Sequence, residues 1–209
     1  QATVMRWWWS FCRMLIRVGG AAVWQLRAFG VENIPPKGGA LLAANHQSYL
    51  DPPLVAACLP REMHFMARRS LFRNPLFRAL IVRCNAFPIE RDTADVKGVK
   101  EAIARLQAGH LLLVFPEGTR TRDGSIGPMK PGVGILAERA ACPIVPVLID
   151  GAHEVWPKGR LLPRPGRIRV VFGRPFRPES DRPETIGDRI REAVVRLKGE
   201  TAGCRTENS

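Results

Sequence analysis

Apolar and polar residues alternate along residues 31–178 in two recurring patterns. Short apolar runs, typical of buried strands, are followed by longer stretches in which apolar residues recur every three or four positions, as on one face of a helix. We predict strands near 40–45, 63–67, 86–89, 111–115, 144–149 and 167–173, and helices near 52–59, 70–83, 94–108 and 131–141. This alternation predicts an α/β domain with a mostly parallel central sheet flanked by helices.

The clearest helix and the clearest strand adjoin each other. Apolar residues recur at helical spacing over 96–106, after Asp95, a residue type that caps helices, and before Gly109, which ends them. The run that follows, 111–115, is apolar throughout, which predicts a strand buried on both faces.

Residues 4–27 combine tryptophan, aliphatic residues and arginine in a helical pattern. At about 100° per residue, the arginines share an arc of about 40° and the large apolar residues gather on another face. The arginines are Arg6, Arg13 and Arg17, and the apolar face holds Trp7, Phe11, Met14, Leu15 and Val18. This arrangement predicts an amphipathic helix in a membrane interface, with tryptophan at the headgroup level and arginine toward lipid phosphate.

Other interpretations of this segment stay open. Its apolar face can also pack on the domain, as it does in most surface helices. Three arginines disfavour a membrane-spanning helix, and the absence of an A-x-A cleavage site after a clean apolar run disfavours a signal peptide. Gly19 and Gly20 are expected to bend or break the helix, so the segment is either one helix or a helical hairpin.

These patterns divide the chain into three regions. Residues 1–30 form the N-terminal amphipathic segment and residues 31–198 the α/β domain, which ends in an amphipathic helix over 183–198. Residues 199–209 are predicted to be a flexible tail.

The charge balance is strongly basic, with 32 Lys and Arg against 19 Asp and Glu and a formal net charge of +13. Such a field attracts polyanions, which are either nucleic acids or anionic membrane surfaces. The chain carries no signature of an RRM, KH or helix-turn-helix domain. Together with the apolar N-terminus, this favours an anionic membrane surface as partner, and no nucleic acid is expected.

The five cysteines indicate neither a disulfide framework nor a zinc site, because their number is odd and no C-x-x-C pair occurs. Their usage is that of a reducing compartment. The sequence contains no other cluster of metal-ligand residues, so no metal is expected.

The first group of residues with chemical potential is the run 45–51, N-H-Q-S-Y-L-D, which follows a predicted strand and precedes two prolines. An ordinary strand-to-helix turn explains it, with Asp51 as helix cap. Alternatively, His46 acts as a general base whose second nitrogen is held by the Asp51 carboxylate. Ser48 is a weaker candidate for a nucleophile, because no G-x-S-x-G turn surrounds it.

The second group is the run 115–124, F-P-E-G-T-R-T-R-D-G, after the clearest strand. Gly118 allows backbone amides to approach an anion, and Arg120 offers a two-pronged guanidinium for phosphate. Glu117 has two candidate partners, Arg120 or a substrate hydroxyl. A charged surface turn is the alternative interpretation.

Two further runs are weaker when each is taken alone. In the run 85–91, N-A-F-P-I-E-R, Arg91 ends a predicted strand and is either a second phosphate contact or a solvated arginine. In the run 142–147, C-P-I-V-P-V, Pro146 lies in an apolar strand, which predicts a sheet edge or a bulge.

In this order and spacing, the four runs resemble the motifs of the glycerolipid acyltransferase family that includes the 1-acylglycerol-3-phosphate acyltransferases. The family pattern is N-H-x-x-x-x-D, G-x-F-x-I-x-R, F-P-E-G-T-R and an apolar V-P-[IV]-V-P block. The resemblance covers residues 31–178. The chain departs from it at Asn85, where the family has glycine, although asparagine also tolerates a left-handed backbone.

The resemblance implies a role for each matching residue. His46 would be the general base and Asp51 its partner, while Arg91, Glu117, Gly118 and Arg120 would bind the phosphate-bearing acceptor. Pro146 would shape the acyl-donor or acyl-chain side, and Lys130 would add positive charge near the phosphate.

The implied reaction moves a fatty acyl group from acyl-CoA or acyl carrier protein to the free hydroxyl of 1-acylglycerol 3-phosphate, giving phosphatidic acid. The thioester is a substrate, and no cofactor is expected. The expected partners are a lysophospholipid, the acyl donor and an anionic membrane. The expected location is the cytoplasmic face of a membrane, with peripheral or monotopic attachment.

Several alternatives stay open from the sequence. The acceptor can be another lysolipid, an amino-lipid or glycerol 3-phosphate. His46 can activate water in a hydrolase. A noncatalytic basic module for membrane or nucleic acid is the alternative from another class, but it gives no reason for a His-Asp pair and an arginine turn at successive strand ends.

Overall fold

The computed structural model describes residues 2–90, 95–178 and 183–206. The helices are α1 (Ala2–Trp24), α2 (Asp51–Cys58), α3 (Pro75–Arg83), α4 (Val96–Gln107), α5 (Gly132–Arg139), α6 (Ala152–Val155) and α7 (Pro183–Thr206), with short 3-10 helices at Val31–Asn33 and Arg69–Phe72. The strands are β1 (Arg27–Phe29), β2 (Ala40–Ala44), β3 (Met63–Arg68), β4 (Ala86–Ile89), β5 (Leu111–Val114), β6 (Ile144–Asp150) and β7 (Arg169–Phe172).

The seven strands form one sheet in the order β1-β7-β6-β2-β5-β3-β4. Every neighbouring pair is parallel except β6 and β7, which are antiparallel. The predicted α/β class with a mostly parallel sheet is therefore confirmed. The sheet is buried on both faces because helices cover each of them, as purely apolar strands require.

Alternate residues of the strands face two separate apolar cores. Leu41 and Ala43 of β2 pack with α4, α5 and α7 on one side of the sheet. Ala40, Leu42 and Ala44 of the same strand pack with α2 on the other side. This period of two follows from strand geometry and leaves the carboxyl end of β2 between the two helical layers.

Helix α1 runs without interruption through Gly19 and Gly20, so the predicted break and the helical hairpin in residues 1–30 are wrong. The small residues instead permit a close approach, since a Cβ on Gly20 would lie 3.0 Å from Leu26 Cδ2. Leu26 N also donates to Gly20 O at 3.0 Å, which turns the chain into β1. A helical glycine costs only about 1 kcal/mol relative to alanine, which this packing offsets.

The predicted boundary at residue 30 is wrong as well, because β1 lies before it and pairs with β7 in the sheet. The C-terminal helix α7 reaches Thr206, beyond the predicted end at 198, so most of the expected 199–209 tail is helical. In the predicted helix 70–83, Pro75 opens α3, and Asn74 caps it by accepting from Phe77 N.

Helix α1 packs on α2 along one side and exposes an apolar face on the other. Trp9 is buried, and Arg13 donates from Nη1 to Leu59 O at 2.5 Å, so this arginine turns toward the domain. The predicted apolar face is exposed, and its members are Trp7, Phe11, Met14, Leu15 and Val18. Within the described residues, no helix has the length and hydropathy needed to cross a bilayer.

Pro146 lies inside the sheet, between β2 and β7, so the predicted sheet edge is wrong and the predicted bulge is correct. Between the pairs Ile144–Phe176 and Val147–Phe172, two residues of β6 face three residues of the chain after β7. Pro146 O accepts from Gly173 N at 2.8 Å. The backbone nitrogen of Pro146, which has no hydrogen to donate, therefore faces this bulge, where no regular ladder bond is needed.

Asn45 extends the pairing of β2 and β6 beyond the last backbone pair. Its side chain donates from Nδ2 to Ile149 O at 2.9 Å and accepts from Ile149 N at 2.8 Å. Both partners are fully buried, so removing the amide would leave two backbone groups without a partner.

We therefore expect Asn45→Ala to lower the free energy of unfolding by about 2–4 kcal/mol, since each orphaned buried group costs about 1–3 kcal/mol. Asn33→Ala is the matched control, because that half-buried side chain makes one bond, from Nδ2 to Phe172 O. Denaturant unfolding of both variants measures the difference. Equal losses in the two variants would contradict the bridging role of Asn45.

Candidate active site

The candidate site lies at the carboxyl ends of three adjacent strands, β6, β2 and β5. The run 45–51 follows β2, the run 115–124 follows β5, and α6 follows β6. Ligands of open parallel sheets bind at this edge. The topology thus brings together two of the predicted motifs that are about 70 residues apart in the chain.

His46 and Asp51 form the predicted pair. His46 Nδ1 lies 2.7 Å from Asp51 Oδ2, and both residues are buried. The imidazole also stacks on the Phe115 ring, with the ring centroids 4.0 Å apart and the planes 16° from parallel. A carboxylate accepts only, so the pair favours a proton on Nδ1 and leaves Nε2 as the basic nitrogen.

The local sequence explains how Asp51 reaches back to His46. The prolines at positions 52 and 53 occupy the first helical turn of α2, where their missing amide protons cost nothing. Asp51 is the first residue of α2, and Leu50 takes the capping position predicted for Asp51. Asp51 Oδ2 accepts from Gln47 N at 2.6 Å and from Ser48 N at 2.8 Å, which curls the loop around the carboxylate.

Ser48 serves the structure of this loop. Its hydroxyl donates to Trp156 O at 2.9 Å and accepts from Leu50 N at 3.3 Å. This ties the loop after β2 to the segment after α6. The arrangement gives no support to Ser48 as a nucleophile.

Glu117 contacts the main chain of His46. Its Oε1 accepts from His46 N at 3.1 Å, and its carboxylate also accepts from the Gly127 amide. Thr121 N donates to His46 O at 2.8 Å. Both main-chain groups of His46 are thereby held by the run after β5, and the predicted contact of Glu117 with the acceptor stays a prediction.

Arg120 lies against Tyr49, the only tyrosine of the chain. The guanidinium carbon is 3.4 Å from the centre of the Tyr49 ring, a stacked cation–π contact. Its Nη1 is buried and has no hydrogen-bond partner among the described residues. Stacking holds the plane of the guanidinium, and an unpartnered buried donor is suited to an anionic ligand.

Gly118 has a positive φ of 73°, as its predicted turn requires. A Cβ at this position would lie 3.1 Å from Lys130 Nζ, so the ammonium group of Lys130 rests over the turn. This places a second cation beside the run 115–124. The predicted role of Lys130 near a bound phosphate stays a prediction.

Two predicted residues are not part of this cluster. Arg91 lies outside the described residues. Pro146 is buried within β6, against Gly173 and close to Leu197 of α7. Its predicted place on the acyl side stays a prediction.

An apolar groove of about 310 Å³ lies between α1 and α2. It adjoins the run 45–51 because Leu50, which precedes Asp51, is one of its lining residues. Its lining includes Leu15, Gly19, Val23, Leu50, Pro53 and Leu54.

Sequence reasoning missed Tyr49 and Gln47. Gln47 Oε1 accepts from His153 N at 3.3 Å and its Nε2 donates to Gly124 O at 3.3 Å, joining the loops after β6 and β5. Neither contact has a local sequence signal, because the partners lie about 70 to 100 residues away. Among the described residues, no group of three His, Cys, Asp or Glu is arranged to hold a metal ion.

Comparison with known proteins identifies the family. The model of the Acyltransferase family matches residues 25–150, which is more than half of the chain. The chain belongs to this acyltransferase family.

Relatives of this chain include proteins named 1-acyl-sn-glycerol-3-phosphate acyltransferase. The 1-acyl-sn-glycerol-3-phosphate acyltransferase of Bacillus subtilis is 26% identical over 90% of the chain and 98% of the relative. The Cocos nucifera protein of the same name is 32% identical over 70% of the chain, which spans only 49% of that relative. The crystal structure of the 1-acyl-sn-glycerophosphate (LPA) acyltransferase PlsC from Thermotoga maritima matches with a TM-score of 0.79 at 28% identity, over 94% of this chain and 79% of that one.

The Glu117 carboxyl gives this acyltransferase a testable pH dependence. Burial raises its pKa from the ordinary 4.5 to about 7, against the opposing effect of the His46 and Gly127 amides. The folded-state pKa thus exceeds the unfolded value, so the stabilising contribution is complete below about pH 4.5 and is lost as pH rises toward 7.

We expect Glu117→Gln to flatten the pH dependence of the unfolding free energy between about pH 5 and 7, because its amide cannot ionise. Denaturant unfolding across this range measures the slope. Glu138→Gln, an exposed site on α5, is the control and should keep the wild-type slope. An unchanged slope in Glu117→Gln would exclude this carboxyl as its source.

Proposed function

We propose that this acyltransferase moves a fatty acyl group from a thioester donor to the free hydroxyl of 1-acylglycerol 3-phosphate, giving phosphatidic acid. The observation that carries the proposal is the His46–Asp51 pair, at 2.7 Å, in the same cluster as a buried, unpartnered Arg120 nitrogen. A base beside an anion-binding arginine is suited to an acceptor that has both a hydroxyl and a phosphate. The names of the relatives support the same acceptor.

The proposed chemistry needs one nucleophile, which the acceptor itself supplies. Nε2 of His46 takes the proton of the acceptor hydroxyl as its oxygen attacks the thioester carbonyl carbon. The C–O bond forms, the C–S bond breaks, and the imidazolium returns the proton to the leaving thiolate. Asp51 stabilises the imidazolium between these two proton transfers.

Arg120 is proposed to bind the acceptor phosphate, with Lys130 and the amides of the Gly118 turn beside it. Tyr49 holds the guanidinium plane, so two parallel hydrogen bonds to one phosphate need little reorganisation. Binding at the phosphate, away from the reacting hydroxyl, is then used to orient that hydroxyl toward His46. Arg91, as a further phosphate contact, stays a prediction.

The groove between α1 and α2 is proposed to take an acyl chain. Its lining is almost entirely apolar, and it begins beside Leu50, next to the catalytic pair. Apolar groups are favoured in such a groove because it removes them from water. No cofactor is proposed, and the donor thioester is acyl-CoA or acyl carrier protein.

Helix α1 is proposed to lie at the surface of an anionic membrane, on its cytoplasmic face, as a peripheral or monotopic attachment. The exposed apolar face carries Trp7 at 78% exposure and Val18 at 64%, unusual for residues of this size on a protein in water. The basic net charge of +13 acts in the same direction.

A panel of acceptors tests the proposed function directly. Purified protein is incubated with labelled acyl-CoA or acyl carrier protein and, in turn, 1-acylglycerol 3-phosphate, glycerol 3-phosphate and lysophosphatidylglycerol. We expect labelled phosphatidic acid from the first acceptor at the highest kcat/KM. A higher kcat/KM for another acceptor would replace the proposed substrate, and release of labelled fatty acid alone would indicate a hydrolase.

Substitutions in the pair test the chemistry. We expect His46→Ala to lower kcat at least about a hundredfold, because general bases contribute 10²–10⁴-fold. Asp51→Asn should lose a similar factor, since an amide donor facing Nδ1 favours the wrong tautomer. Circular dichroism confirms folding. Ser48→Ala is the control and should stay within about tenfold of wild type; a larger loss than His46→Ala would reinstate a serine nucleophile.

Replacing Arg120 by lysine keeps the charge but removes the planar group that stacks on Tyr49. We expect acceptor KM to rise and donor KM to stay unchanged. The loss of one charged hydrogen bond predicts a decrease in kcat/KM of about tenfold to a hundredfold. Arg122→Lys, exposed two residues further on, is the control. An increase confined to donor KM would assign Arg120 to the phosphates of the donor.

A further inference from the structure

The segment between α6 and β7, which we name the 156–166 loop, carries two exposed leucines at its tip. Leu161 is 86% exposed and Leu162 is 69% exposed. Single exposed leucines are common on protein surfaces, but an adjacent pair with this exposure at a loop tip is a concentrated apolar feature.

The 156–166 loop has a built base that fixes the position of its tip. Trp156 Nε1 donates to Arg160 O at 2.8 Å, closing the first half of the loop. Arg164 N donates to Val155 O at 3.0 Å, and Arg164 Nε donates to Glu154 O at 2.5 Å, closing the second half. The two leucines lie between these closures, so the loop presents them outward.

The base of the loop rests on the last turn of α1. Trp24 Nε1 donates to Arg164 O at 3.2 Å, and Gly166 N donates to Val23 O at 3.4 Å. Val23 is itself 45% exposed. The loop is therefore hydrogen-bonded to α1, the helix whose apolar face is proposed to lie on the membrane.

The same loop adjoins the catalytic cluster. The carbonyl of Trp156 accepts the Ser48 hydroxyl, and the Trp156 ring lies 5.7 Å from that of Tyr49. Tyr49 in turn carries Arg120, the proposed phosphate ligand. The loop that carries the tip thus contacts the cluster that contains Ser48, Tyr49 and Arg120.

The charged residues of the segment 156–168 are all basic. Residues 156–168 contain no aspartate or glutamate, and Lys158, Arg160, Arg164 and Arg167 are exposed. An apolar tip ringed by cations is complementary to an anionic bilayer, which takes up leucine below the headgroups and binds the cations at its phosphates.

We propose that the 156–166 loop is a second membrane-docking element, which inserts Leu161 and Leu162 into an anionic bilayer at the entrance of the active site. Together with α1 it holds that entrance against the membrane, so that a lysolipid acceptor is drawn directly from the bilayer. The consequence for the acceptor rests on the proposed function, whereas the insertion of the loop does not.

The test compares wild type with a double variant that carries both Leu161→Ser and Leu162→Ser. Binding is measured by co-sedimentation with vesicles of phosphatidylcholine containing phosphatidylglycerol. We expect about a tenfold weaker partition coefficient, because two leucines no longer gain from burial. Unfolding temperature should not change, since both side chains are exposed.

A double variant that carries both Val96→Ser and Val195→Ser is the matched control, because these valines are 60% and 45% exposed on α4 and α7. Their helices cover the other face of the sheet from α1 and α2, so vesicle binding should match wild type. Phe11→Ser with Val18→Ser, on the exposed face of α1, is the positive comparison. Lys158→Gln with Arg160→Gln should weaken binding to anionic vesicles about fivefold per charge and leave neutral vesicles unaffected.

Two acceptors of different solubility separate docking from catalysis. With long-chain 1-acylglycerol 3-phosphate in vesicles, the leucine variant should lose about tenfold in rate at limiting lipid. With a short-chain acceptor dissolved as monomers, its kcat and KM should equal those of wild type. Equal losses with both acceptors would assign the leucines to the site itself and overturn docking.

Other results identify other occupants. Unchanged vesicle binding overturns the proposal, and if donor KM then rises, the basic loop binds an acidic carrier protein or the phosphates of the donor. If wild-type protein acylates neither acceptor, the proposed function fails, while the vesicle measurement still decides whether the loop inserts.

Discussion

The buried carboxylate of Asp51 organises the site, because one of its oxygens accepts from the His46 ring and from the amides of Gln47 and Ser48. A buried charge is tolerated only when hydrogen bonds compensate for its lost hydration. Burial of the Asp51 carboxylate therefore depends on the loop closing around it. The same closure sets the orientation of the imidazole, so the stability of the loop and the chemistry of the histidine depend on one group.

The run that follows β5 also fixes the position of His46. Glu117 and Thr121 hold the amide and the carbonyl of His46, so the proposed general base is fixed from the β5 side as well as from α2. The same run carries Arg120, whose plane is held by Tyr49 from the β2 loop. Each of the two loops thus positions the functional side chain of the other, which keeps the base and the anion-binding group at a defined separation.

Much of this was predictable from local patterns, and the exceptions have physical reasons. The buried strands and the His46–Asp51 pair have strong signals, because apolar runs and short motif spacing act within a few residues. Strand β1 is only three residues long and its residues are exposed, so no buried apolar run marks it in the sequence. The helical hairpin failed because Gly20 permits packing against Leu26, a tertiary effect. The bond between Glu117 and the His46 amide has no local signal, because the two residues are 71 positions apart in sequence.

The account depends on Asp51 holding His46 with its proton on Nδ1 and with Nε2 free to take the proton of a hydroxyl. Nitrogen NMR of protein with labelled histidine measures this tautomer directly, and the His46 signals are assigned by their absence in His46→Gln. At a pH where the ring is neutral, the account predicts a protonated Nδ1 and an unprotonated Nε2. A neutral ring with its proton on Nε2 would contradict it, because that nitrogen then has no lone pair with which to accept the proton.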